Sequence, residues 1–183
     1  METYMVFDVE SVGLHGEGFA VGYVVLDRTG IELAHGAYWT DPDGAQGTDE
    51  GRAWVYANWY LPMGLPSADT TYDLRRLFWQ VWQQWKAKGA ILVADCAWPV
   101  EARFLAACVD DDPAAREWQG PYPLHDVATA RLLVGLDPLA TVPRLPSELP
   151  QHDPLADARQ SARLWLEALT AAADHGRDRI TDK

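Results

Sequence analysis

YMVFDVESVGL, residues 4–14, begins with an apolar run that reaches Asp8 and continues to Glu10 two residues later. On a β-strand the side chains at i and i+2 point to the same face, so both carboxylates project from one side of the predicted strand. Two like charges this close repel each other, and a divalent cation held by both carboxylates removes the repulsion. Gly13 then predicts the turn at which the strand ends.

The longer pattern FDxESxGL, residues 7–14, is far more specific than a pair of acids, which alone would most often face solvent. It resembles the first motif of the DEDD-type 3′–5′ exonucleases, the group that includes RNase T, oligoribonuclease and the proofreading subunits of DNA polymerases. The resemblance implies that Asp8 and Glu10 hold metal ions. It also implies that Ser11 and Leu14 contact the 3′-terminal nucleotide.

The segment HDPLADA, residues 152–158, is the second informative site. Asp153 or a neighbour is expected to cap a helix, which places Asp157 in its early part, where the helix dipole favours negative charge. Alone, His152 would more often be an incidental loop histidine. In the His-containing DEDD exonucleases, however, the third motif has His five residues before Asp, followed by Ala, and this segment matches that spacing. The resemblance therefore implies that Asp157 is a metal ligand. Because a neutral imidazole can accept a proton from water, His152 is the candidate general base.

The second motif of the same group is matched only in part. A short apolar strand ends in Asp95, and a helix is predicted to start near Pro99. Oligoribonuclease-like enzymes carry Asp-x-x-Phe-Leu at this helix start, whereas here Glu101 stands three residues before Phe104. Register favours Glu101 as the metal ligand, while residue type and position at the end of a strand favour Asp95. We keep both as candidates and place Glu101 first.

Carboxylates that converge from several elements suit a two-metal phosphodiesterase. One cation holds the attacking water and the other the leaving oxygen, and carboxylate oxygens prefer hard ions. The carboxylates therefore predict two Mg²⁺ or Mn²⁺ ions, and the resemblance to the DEDD exonucleases implies the release of nucleotides from 3′ ends. The rival of another class is a non-catalytic nucleic-acid-binding module with an impaired second motif. The intact Asp8, Glu10, His152 and Asp157 argue against it.

The net charge of −12 limits the choice of partner. Proteins that hold long nucleic acid by its phosphates usually have a basic surface, so a long duplex is a poor substrate for this chain. We expect single-stranded 3′ ends or short oligonucleotides, with RNA favoured and DNA as the alternative. The nine tryptophans include candidates for stacking on bases, although most are expected in the core.

The order of predicted elements indicates an α/β protein with a ribonuclease-H-like mixed β-sheet flanked by helices. After the first strand, strands are expected over residues 19–26, 31–39, 90–94 and 122–125, and helices over 52–60, 72–88, 99–109, 126–133 and 154–172. Residues 41–51, 110–121 and 136–151 are expected to be connections, and Pro62 and Pro66 to break the helix after residue 60. We predict one domain over residues 1–173 and a loose polar tail over 174–183.

The remaining features concern location and assembly. The two cysteines, Cys96 and Cys108, show neither metal-type spacing nor a disulfide framework, and the N-terminus lacks the pattern of a signal peptide. A reducing cytoplasm is therefore expected. No apolar run approaches the ~20 residues that a membrane span needs. The oligomeric state stays open, with a homodimer as one alternative.

Overall fold

A five-stranded mixed sheet forms the centre of the computed structural model, which describes residues 2–59, 66–120 and 122–181 and the side chains as far as residue 174. The strand order is β3-β2-β1-β4-β5. The first three strands are antiparallel neighbours, whereas β1, β4 and β5 run parallel to one another. The prediction of an α/β mixed sheet is confirmed.

The elements follow the chain in a strand-rich first third and a helix-rich remainder. The strands are β1 Thr3–Ser11, β2 Gly18–Asp27, β3 Glu32–Trp39, β4 Ile91–Ala94 and β5 His125–Asp126. The α-helices are α1 Asp49–Asn58, α2 Thr71–Lys86, α3 Val100–Asp110, α4 Pro113–Arg116, α5 Val127–Leu133 and α6 Pro154–Thr181. Single 3₁₀ turns lie at Pro42–Gly44 and Pro146–Glu148.

Helices cover both faces of the sheet, and the alternation along β1 decides which side chain faces which layer. Met5, Phe7 and Val9 pack in one core with α2 and α3. Tyr4 and Val6 pack in a second core with α6, on the opposite face. Because Asp8 and Glu10 share the parity of Tyr4 and Val6, they point toward the layer that contains α6.

The predicted start of α1 and the predicted end of α6 are wrong. Helix α1 begins at Asp49 rather than at residue 52, because the Thr48 side chain accepts a hydrogen bond from Gly51 N and caps it. The predicted end at Tyr60 and the break at Pro62 lie outside the described residues. Helix α6 continues through the predicted loose tail to Thr181. Polar residues and alanine propagate a helix, and no proline follows Pro154 to stop it.

Two further differences lie in the second half of the chain. The predicted loop 110–121 contains the short helix α4, which Asp112 caps by accepting from Ala115 N. The fifth strand is two residues long and begins at His125, because only His125 and Asp126 pair with β4. No helix among the described residues is long and apolar enough to cross a membrane.

Gly22 allows the start of α6 to lie directly on the sheet. It pairs with Asp8 across β1 and β2. A Cβ atom at this position would lie 2.2 Å from both Leu155 N and Pro154 C. Only a residue without a side chain therefore permits this approach, which brings the first turn of α6 beside the acids of β1.

Candidate active site

Three elements bring acidic and imidazole groups together at the carboxyl end of β1. Glu10 comes from the strand, Asp157 from the first turn of α6 and His152 from the segment before it. One ligand atom from each of these three residues lies within 4.8 Å of the others. Asp8, Glu101 and Asp95 surround this group closely enough for their charges to act on it. The structure thus places the sequence-predicted acids and histidine in one cluster.

Asp8 occupies the electrostatic centre of the cluster. The pKa of its carboxyl is raised well above the ordinary value. Burial is the largest cause, followed by the negative charges of four acids, in the order Glu10, Glu101, Asp157 and Asp95. Because each of these charges disfavours ionisation of Asp8, the cluster carries more negative charge than the surrounding protein compensates.

The two glutamates show the same effect. Burial, and then the charges of Asp157 and Glu101, raise the pKa of Glu10 to about 8. Burial also raises the pKa of Glu101 to about 7, although hydrogen bonds from its own backbone and from the Val9 backbone oppose the shift. Both side chains are buried, with 8% and 7% of their surface exposed. An ionised carboxylate in such surroundings needs a positive partner.

The geometry favours Glu101 over Asp95 as the acid that completes the cluster. Glu101 projects inward from the first turn of α3, and its charge affects Asp8 more than the charge of Asp95 does. Asp95 lies at the solvent-exposed rim. The pKa of Asp95 is raised, first by desolvation of its carboxyl and then by the charges of Asp126 and Asp157. Residue type and strand position, the arguments for Asp95, do not outweigh the burial of Glu101.

Asp126 was not predicted as a site residue, and its contacts explain its position. Its two oxygens accept hydrogen bonds from Thr129 N at 2.6 Å and from Ala97 N at 2.7 Å. One bond caps α5, and the other ties down the loop that follows β4. Ala128 N also donates to the Asp95 carbonyl. Asp126 therefore holds the loop that leads to Glu101.

His152 adopts a backbone conformation that is uncommon outside glycine, with φ of 64°. In this conformation its backbone N–H donates to Asp157 Oδ2 at 3.2 Å. The imidazole meets the Trp54 ring edge to face, with centroids 4.9 Å apart. Asp153 caps α6 by accepting from Leu155 N and Ala156 N, as predicted. The strained residue and its neighbouring cap thus present both the imidazole and Asp157 to the cluster.

A cavity of about 470 Å³ opens next to Glu10. Ser11 and Leu14, the predicted nucleotide contacts, line it together with Trp54, which the sequence analysis did not single out. Leu14 and Trp54 are 68% and 45% exposed, so apolar surface is available there. The Ser11 hydroxyl itself donates to the Gly13 carbonyl at 2.9 Å and closes the turn. An aromatic residue on the polar side of α1 was the only sequence signal for Trp54.

Arg144 is a second residue that sequence reasoning missed. It lies in the irregular segment before α6, and its Nη1 donates to Asp157 Oδ1. Its charge lowers the pKa values of Glu10, Asp157 and Asp95, while Arg131 also acts on Asp95. These pKa values nevertheless remain raised. No motif signalled an arginine at this position, because the contact joins residues 13 apart across an irregular connection.

The donor set fits a divalent cation. Buried or half-buried carboxylates converge with an imidazole, and the two arginines near them do not offset their negative charge. Oxygen ligands of this kind are what Mg²⁺ and Mn²⁺ prefer. Asp8, Glu10, Asp157 and Glu101 would hold the metal, with Asp95 at the rim.

The five-stranded mixed sheet with helices on both faces is an α/β fold of the ribonuclease-H-like kind. One solved structure with this fold is Escherichia coli exonuclease I in complex with a dT13 oligonucleotide. It is similar over 100% of this chain with a TM-score of 0.61 and 14% sequence identity. The chain spans 43% of the length of that enzyme. No protein-family model and no curated protein sequence matches the chain.

Proposed function

We propose that this chain is a divalent-metal-dependent 3′–5′ exonuclease that acts on single-stranded ends. The observation that carries the proposal is the convergence of Glu10, His152 and Asp157 within 4.8 Å at the carboxyl end of the central strand β1, with Asp8 and Glu101 beside them. The motifs that predicted these residues resemble those of the His-containing DEDD exonucleases. The shared fold with exonuclease I supports the same class.

The bound cations would supply charge neutralisation and an acidified water, as in other two-metal phosphodiesterases. The chain's own residues would do the rest. His152, whose ring packs edge to face with that of Trp54, would accept the proton of the attacking water. Leu14 and Trp54 would receive the terminal base in the cavity beside Glu10, which keeps the scissile phosphate next to the acids.

Single-stranded or short RNA is the substrate that we favour, because the charge of −12 opposes tight binding of long duplexes. Single-stranded DNA is the alternative, and the dT13 strand bound by exonuclease I favours it. A terminal base can enter the cavity only when it is unpaired. Both alternatives therefore predict slow digestion of blunt duplexes.

The test is digestion of 5′-labelled RNA and DNA of one sequence, with Mg²⁺, with Mn²⁺ and with excess chelator. We expect a ladder that shortens from the 3′ end only when metal is present, and its loss in Asp8→Ala. Asp110→Ala is the matched control, because it removes an exposed aspartate at the end of α3. Equal digestion in chelator, or by Asp8→Ala, would contradict the proposal. Binding of oligonucleotides without cleavage would favour the non-catalytic module.

A further inference from the structure

Arg144 makes a direct contact with one of the proposed metal ligands. Its Nη1 donates to Asp157 Oδ1 and, at 2.8 Å, to the backbone carbonyl of Glu148. The side chains of Arg144 and Asp157 are only 19% and 15% exposed. Because a hydrogen bond between two ionised groups is strong when water is largely excluded, Asp157 Oδ1 is engaged by the guanidinium rather than free for a cation.

The surrounding residues hold Arg144 in this direction. Glu148 is only 2% exposed, and its carboxylate accepts from Arg163 Nε at 2.7 Å and Nη2 at 2.9 Å. It also accepts from Leu145 N at 2.9 Å. These bonds anchor the turn Pro146–Glu148 to α6, so the carbonyl that positions Arg144 is itself fixed. The contact with Asp157 is therefore built into the segment rather than made by a loose surface side chain.

We propose that Arg144 competes with the divalent cation for Asp157 Oδ1 and thereby sets the cation affinity of the site. The inference rests on the proposed function only in taking the acidic cluster as a cation site. Arginine does not lose its proton at any working pH, so the contact yields by exchange with another cation and not by deprotonation. A site with this competitor binds metal more weakly than its carboxylates alone would.

Two other roles for the same contact predict different changes in cation affinity. If Arg144 only braced Asp157 in the geometry that metal needs, its removal would weaken cation binding. If it only stabilised the fold, its removal would lower thermal stability and leave the affinity unchanged. The direction of the affinity change therefore separates competition from bracing.

The experiment is calorimetric titration of the chelator-treated, dialysed 183-residue chain with Mn²⁺. We expect Arg144→Gln to bind roughly tenfold more tightly than the wild type, which corresponds to about 1.4 kcal/mol. The control is Arg159→Gln, which removes the same charge from α6 where the guanidinium pairs with Glu32 at 3.0 Å. Its affinity should stay within about twofold of the wild type, since long-range charge effects are screened by salt.

Arg144→Lys is a second variant, which allows the test to be made if Arg144→Gln does not fold. Lysine keeps the charge but replaces the rigid planar guanidinium, whose Nη1 donates to both acceptors, with a flexible ammonium, so a smaller increase of about threefold is expected. The inference is overturned if the Arg144 variant that folds binds Mn²⁺ with the affinity of the control or more weakly than the wild type. It is also overturned if none of the proteins binds Mn²⁺. Nuclease activity of the wild type is measured separately. Its absence would overturn the proposed function, whereas the order of affinities alone decides the role of Arg144.

Discussion

The thermal stability of the chelator-treated protein should fall as the pH rises from about 5.5 to about 8.5. The reason is the raised pKa of Glu10, which is about 8 in the folded protein against an ordinary value of 4.5. Between these values the folded state holds a proton that the unfolded state has lost. By linkage, the free energy of unfolding therefore decreases with rising pH throughout this window.

The size of the effect follows from the same pKa. Each pH unit between about 5.5 and about 8 costs about 1.4 kcal/mol, so Glu10 contributes on the order of 3–4 kcal/mol across this window. Glu101, with a pKa of about 7, acts in the same direction. For a domain of this size, such a loss lowers the melting temperature by about 10 °C. Hydrogen bonds from Thr71, Gln46 N and Arg75 lower the pKa of Glu17, and those from Arg163 lower the pKa of Glu148. Such acids are ionised in both states above about pH 5 and do not compensate.

The assay is thermal unfolding followed by circular dichroism at constant ionic strength, in chelator. Glu10→Gln has no titrating group at position 10, so its melting temperature should fall less across the same pH range. Glu117→Gln removes an exposed acid and should behave as the wild type. A melting temperature that is constant or rises with pH would refute the reasoning, as would an equal decline in Glu10→Gln.

Three further predictions concern single residues of the site. Gly22→Ala should cost about 2 kcal/mol by overpacking and displace the start of α6, so both melting temperature and nuclease rate should fall. Gly44→Ala, where nothing lies within 4 Å, should change neither, and equal effects in the two variants would contradict the account. Glu101→Gln should lose turnover by orders of magnitude and require more metal, whereas Asp95→Asn should change little; the reverse order in a metal titration would make Asp95 the ligand. His152→Asn, which tolerates a positive φ, should reduce turnover at least ~100-fold while oligonucleotide affinity stays within a few-fold, and an unchanged single-turnover rate would remove His152 from the mechanism.

Local spacing in the sequence was sufficient to predict much of this protein. The apolar run before Asp8 and the two-residue spacing to Glu10 predicted a strand with both acids on one face, because side chains alternate along a strand. The five-residue spacing from His152 to Asp157, with a capping Asp153, predicted that both lie at a helix start. These features depend on backbone geometry over a few residues, which the sequence determines directly.

Contacts between residues that are distant in the sequence were decided by the tertiary structure alone. The approach of α6 to Gly22, the position of Trp54 beside His152 and the pairing of Arg144 with Asp157 join segments that no local pattern relates. The sequence likewise left the choice between Asp95 and Glu101 open, and the burial of Glu101, which favours it, is a tertiary feature. The electrostatics of the cluster belong to the same level, because a pKa depends on desolvation and on charges that only packing brings within a few ångströms.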